Sequence, residues 1–124
     1  MGKLYIIVPV FKRLEHTKTF IASCNQHIDE NSIIYIIVDD SPQYEHFEYF
    51  SKINNIKVLK GTGNLWWGGS INLGMQYLMD QNIEDNSIVV WANNDTIINE
   101  NLYPKQKKFL KKNPNSFFHP RVFN

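Results

Sequence analysis

The chain has 124 residues, 43% hydrophobic and 14% aromatic, enough for one domain with a core of its own. Thirteen Lys+Arg against twelve Asp+Glu leave a net charge of +1, so no global field draws it to nucleic acid or an anionic membrane. The single cysteine, Cys24, excludes an internal disulfide and a cysteine-rich zinc site and suits a reducing cytosol.

Met1-Gly2-Lys3 runs straight into Leu4-Tyr5-Ile6-Ile7-Val8, too short for a signal-peptide core. The apolar runs fall far below the ~20 residues of a membrane span. The reading is a soluble, cytoplasmic chain, with the inner face of the membrane as its other possible station.

Short β-branched runs alternate with helical patterns, which predicts an α/β fold with a mostly parallel sheet flanked by helices. Leu4 to Val10 is the first strand, without polar alternation, as for a strand buried on both faces. Leu14, Thr17, Ile21, Cys24 and Ile28 then share one helical face. Ile33 to Val38 is the second strand, Tyr44 to Phe50 a weakly patterned short helix, and Ile56 to Leu59 the third strand. Ile71, Met75, Leu78 and Met79 mark a helix after Gly68-Gly69, and Ile88 to Ala92 a fourth strand. Leu102, Gln106, Phe109 and Leu110 suggest a last helix, stopped by Asn113-Pro114. Phe117 to Phe123 reads as a fifth strand bent at Pro120.

In an open parallel sheet, ligands bind at the carboxyl ends of the strands. Three of these edges carry polar clusters: Asp39-Asp40-Ser41-Pro42, Lys60-Gly61-Thr62-Gly63-Asn64 and Asn93-Asn94-Asp95. Asp39 and Asp40 either bind a base, a ribose or a cation, or cap the following turn. A carboxylate beside amide oxygens at 93–95 suits Mg²⁺ or Mn²⁺; an Asx-turn or helix cap is the structural alternative. The glycine-rich stretch Gly61 to Gly69 opens a helix whose first amides offer an anion site for a diphosphate. Trp66 and Trp67 are adjacent, so one is expected to line the cleft. Arg13 opens the first helix within reach of a phosphate. His16, His27, His46 and His119 lack metal-ligand spacing and read as structural or exposed. Cys24 reads as a buried small residue.

Taken in order, Ile6-Ile7-Val8-Pro9-Val10-Phe11, Ile37-Val38-Asp39-Asp40-Ser41, Gly63-Asn64 to Gly74, and Asn93-Asn94-Asp95 resemble the family 2 glycosyltransferases of the GT-A, Rossmann-like fold. The resemblance spans essentially the whole chain, read as a single nucleotide-sugar-binding domain over residues 1–124. It implies inverting transfer of a sugar from a nucleoside-diphosphate donor (dTDP-, UDP- or GDP-linked) to a glycan or lipid-linked acceptor, assisted by a divalent cation. It places donor contacts at Pro9, Val10, Arg13, Asp39, Asp40, Gly63, Asn64, Gly69, Asn72 and Asn94, and the metal at Asp95 with Asn93. Gly-Asn-Leu-Trp-Trp-Gly-Gly with Asn-Asn-Asp is most similar to the rhamnosyltransferase-like branch, which suggests a dTDP-sugar.

Asn93 stands where the family's first carboxylate is expected. The family's acceptor half and catalytic base are expected beyond residue 124, so the resemblance also implies a fold truncated after about five strands and able to self-associate. Two alternatives remain open: a non-catalytic nucleotide-sugar-binding or assembly module, and a sugar-1-phosphate nucleotidyltransferase. The second is disfavoured because Val10-Phe11-Lys12-Arg13-Leu14 contains no glycine.

Overall fold

The structure, a computed structural model, describes residues 3–95. The helix expected around 102–110 and the strand expected at 117–123 lie outside them. In chain order the elements are β1 (Leu4–Val10), α1 (Leu14–His27), a 3₁₀ turn (Glu30–Ser32), β2 (Ile33–Asp39), α2 (Glu45–Phe50), β3 (Ile56–Lys60), α3 (Trp66–Asp80) and β4 (Ile88–Trp91).

The four strands are all parallel and lie in the order β3-β2-β1-β4. The chain winds outward from β1 through β2 to β3, then crosses back to lay β4 on the other side of β1. β1 and β2 are covered on both faces, which is why their sequences are nearly unbroken in apolar residues. Leu4, Ile6, Val8 and Val10 point to one face, where Phe20, Ile21 and Cys24 of α1 and Phe50 of α2 close a core. Ile7, Ile36 and Val38 point to the other, under Ile71 and Leu78 of α3.

Two small features let the layers fit. A Cβ on Gly74 would stand 2.6 Å from Cγ2 of Ile7, so only glycine lets α3 lie this close to β1. Pro9, without an N–H, sits in a central strand at little cost because β4 pairs with β1 only from Leu4 to Ile7. Ile7 turns its carbonyl towards β4, where it accepts from the Ala92 amide at 3.0 Å. By strand alternation Pro9 turns the same way, past the end of β4, where no ladder bond is lost.

The four sequence-derived strands that fall within the described residues hold to within a residue. α3 does not: it begins at Trp66, so both tryptophans belong to its first turn and Gly68-Gly69 lie inside it rather than ahead of it. No helix among the described residues is long and apolar enough to cross a membrane.

Candidate functional site

The strand order reverses beside β1, so the carboxyl ends of β1 and β4 border the crevice where an open α/β sheet takes its ligand. Three loops meet there, after β1, β2 and β4, with the β3–α3 loop behind them.

The two aspartates ending β2 go to opposite faces, because successive side chains on a strand alternate. Asp39 follows the parity of Tyr35 and Ile37 and points towards α2. Its Oδ1 accepts from the Ser41 amide at 3.0 Å and its Oδ2 from the His46 amide at 3.1 Å. Asp40 follows Val38 and points towards α3. Its Oδ1 accepts from the Gly63 amide at 2.6 Å, and its Oδ2 from the amides of Leu65 at 2.9 Å and Trp66 at 3.2 Å. Asp39 is 0% exposed and Asp40 4%. Asp39 thus caps the following turn, as weighed for the pair, whereas Asp40 caps a loop distant along the chain.

This corrects one expectation. The first amides of α3 were to receive an anion from outside, yet Asp40 already supplies a carboxylate to three amides at that helix entrance. The physical reason is that α3 has no side-chain cap of its own, so the charge and acceptors its N-terminus wants come from β2. Gly61 is what makes room: a Cβ there would stand 2.3 Å from Asp40 Oδ1. Gly63, with φ of 93°, turns its amide onto the carboxylate in a conformation that suits glycine.

The β1–α1 loop carries Lys12 and Arg13, both exposed and both left-handed with φ of 59°. Such a backbone costs roughly 1–2 kcal/mol per non-glycine residue, and strain of this kind gathers at functional sites. Backbone amides hold it in place: that of Lys12 donates to Ser41 Oγ, and those of His16 and Thr17 donate to the Arg13 carbonyl. Lys12, Ser41, Pro42, Gln43 and Glu45 line a cavity of about 280 Å³ beside the buried aspartates.

Across the crevice, Asn94 reaches over with its Nδ2, 3.4 Å from the Arg13 carbonyl and 3.1 Å from Thr17 Oγ1. It stitches the β4 loop to the start of α1. Asn93 Oδ1 accepts the Trp67 indole proton at 2.9 Å, and the Trp67 ring meets Trp91 edge-on at 6.0 Å. The indole takes one lone pair of that oxygen, so Asn93 as placed keeps a second lone pair for a cation and its amide N–H groups for phosphate oxygens. Asp95 lies exposed at the crevice lip. No group of three or more His, Cys, Asp or Glu poised for a metal occurs among the described residues. A lone carboxylate nevertheless suits Mg²⁺, which takes one or two carboxylates and completes its shell with substrate phosphates and water.

Of the other expected residues, Pro9 and Val10 form the end of β1, Val10 with its side chain buried in the core. Gly63 and Asn64 lie exposed on the β3–α3 loop; Gly69 and Asn72 lie on α3, Asn72 exposed. Both tryptophans are exposed, Trp66 at 79% and Trp67 at 48%. Trp66 is also left-handed at φ 57°. Cys24 is buried, and burial pushes its thiol up to about 12, so it stays protonated and unreactive.

Sequence reading placed Thr17 on one helical face and took His46 as structural or exposed, but missed that the two meet. Both are 0% exposed, and Thr17 Oγ1 lies 2.7 Å from His46 Nε2. Nothing local in the sequence joins them.

Comparisons with known proteins give the family and the fold. Residues 5–124 match the family model described as Glycosyl transferase family 2, so the chain belongs to that family. No curated protein sequence matches it. Among solved structures, TarS 1–349 of S. aureus superimposes with a TM-score of 0.67 at 18% identity, over 96% of this chain and 38% of that one. The same TarS piece in complex with UDP-GlcNAc gives 0.68 at 18% identity, over 96% and 37%, and TarS itself gives 0.67 at 18% identity, over 96% and 23%. The fold is therefore that of the GT-A glycosyltransferases. The chain spans a little over a third of the TarS 1–349 piece and under a quarter of TarS.

Proposed function

We propose that this chain binds the donor of a glycosyltransferase that moves a sugar from a nucleoside-diphosphate carrier to an acceptor hydroxyl with inversion. The observation that supports it most is the stitched crevice beside β1. There the strained Lys12-Arg13 loop and the Asn93-Asn94-Asp95 loop are bound to each other by Asn94.

Each residue has a task in that reading. Lys12 and Arg13 bring positive charge to the diphosphate. The cavity beside Ser41 and Pro42 takes the nucleoside, with Asp39 and Asp40 holding the loops that follow β2 and β3, and Pro9 and Val10 ending the strand that leads to Lys12. Asn64, Gly69 and Asn72 border the sugar side of α3. Asp95 holds the cation, with the amide oxygen of Asn93 beside it and its N–H groups turned to a phosphate oxygen. A divalent ion bound there neutralises charge on the leaving diphosphate. Removal of the acceptor's proton is assigned to no residue between 3 and 95. TarS was crystallised with UDP-GlcNAc, which favours testing a uridine donor first. The resemblance to the rhamnosyltransferase-like branch puts dTDP beside it.

Calorimetric titration with UDP, dTDP and GDP, with and without Mn²⁺, tests the proposal. Binding of at least one nucleotide, strengthened by Mn²⁺, is expected, and Asp95→Asn should abolish the strengthening. No binding of any of the three would sink the reading.

A further inference from the structure

Asn94 is anchored by a chain of groups that crosses three elements. Its Nδ2 donates to Thr17 Oγ1 on α1 at 3.1 Å. That hydroxyl lies 2.7 Å from Nε2 of His46 on α2. His46 Nδ1 in turn faces Asp39 Oδ2 at the end of β2, at 3.7 Å, too far for a formal hydrogen bond.

Hydrogen accounting gives this chain a direction. Thr17 accepts from Asn94, which leaves its own proton free to donate to His46. A bare Nδ1 would turn a lone pair on the Asp39 carboxylate in a site closed to water, whereas an Nδ1–H turns a positive edge on it. The ring's other surroundings are Glu45 beside it on α2 and the Phe50 ring at 6.1 Å. Burial disfavours the doubly protonated ring and holds its pKa below the ordinary value, against the pull of Asp39 and Glu45.

We propose, resting on the donor-binding reading above, that His46 is a positioning residue: neutral and protonated on Nδ1, it carries the orientation of Asn94, and with it the 93–95 loop, from the Asp39 carboxylate. Every donor in the chain then points from β4 towards β2. Asn94 has its nitrogen spent inward, so its amide oxygen is the group left for the crevice. The loop bearing Asp95 is fixed in the sense that a bound diphosphate and cation need.

Nitrogen-15 spectra of the His46 ring in the whole chain read the tautomer near pH 7. A proton on Nδ1 and a bare Nε2 are expected; a proton on Nε2 overturns the proposal. Three substitutions then separate positioning from folding. Thr17→Val removes the hydroxyl and keeps its shape, His46→Asn leaves nothing at the Nε2 position, and His46→Gln puts an amide oxygen there. UDP affinity with Mn²⁺ should fall on the order of 10-fold in the first two and return towards the parent in the third, as for groups that orient a metal site from behind. Equal losses in all three, or none, overturn the proposal. Should His46→Asn not fold, Thr17→Val and the tautomer measurement decide. If the parent chain binds no nucleotide, the donor-binding reading fails separately. The side-chain amide resonances of Asn94 then test His46, and their staying fixed in Thr17→Val and His46→Asn refutes it.

Discussion

Asp40 joins three backbone amides of the β3–α3 loop to the end of β2 while almost closed to water. Hydrogen bonds to a charged group contribute more than neutral ones, and a buried donor left bare costs about 1–3 kcal/mol. Asp40→Asn keeps one oxygen but turns an NH2 group against the remaining amides. It is expected to lower stability by about 2–3 kcal/mol in urea unfolding, on that scale. His46 makes the matching prediction for pH. Its folded pKa is depressed by burial, so the unfolded chain binds the proton more readily and stability is lost as pH falls below about 6.5 towards the folded value. The urea midpoint should drop across that window, and His46→Gln should remove that part of the slope.

At the scale of elements, α3 is placed by one contact that admits no larger residue. Gly74→Ala would drive a methyl group to 2.6 Å from Ile7, against a side chain that is itself 0% exposed. Overpacking of this kind costs typically 1–3 kcal/mol, and a loss in that range is expected in thermal or urea unfolding.

Much at this scale was legible beforehand. β1 and β2 announce themselves as unbroken apolar runs because both faces are covered. Leu14, Thr17, Ile21 and Cys24 mark α1 because its spacing fits a helix with one buried face. The start of α3 was hidden because its cap is Asp40, distant along the chain, while the N-cap position itself is Leu65, which cannot cap. The roles of Asp39 and Asp40 were hidden for a related reason. Sequence shows that carboxylates stand at a strand end, but not which amides the pleat will bring to each. The pairing of Thr17 with His46 belongs to tertiary packing alone.

Across the whole molecule, nucleotide binding should appear as stability. A ligand that binds only the folded chain adds about 2.7 kcal/mol at a hundred times its Kd. A rise in the melting temperature with UDP and Mn²⁺, absent with Mn²⁺ alone, checks this independently of calorimetry.

The strand order also sets an order of assembly. β1 pairs with β2 soon after α1 is made, and β3 joins β2 across the short α2, so three strands can zip from neighbouring sequence. β4 must instead return to β1 from the far end of the described chain, a closure that costs more entropy and comes late. Val58→Ala in β3 should therefore slow refolding, whereas Val89→Ala in β4 should leave refolding nearly unchanged and speed unfolding. Stopped-flow measurements would separate the two. The loop that carries Asn93, Asn94 and Asp95 follows β4, so a newborn chain gains the crevice proposed for the nucleotide only as its last described strand docks.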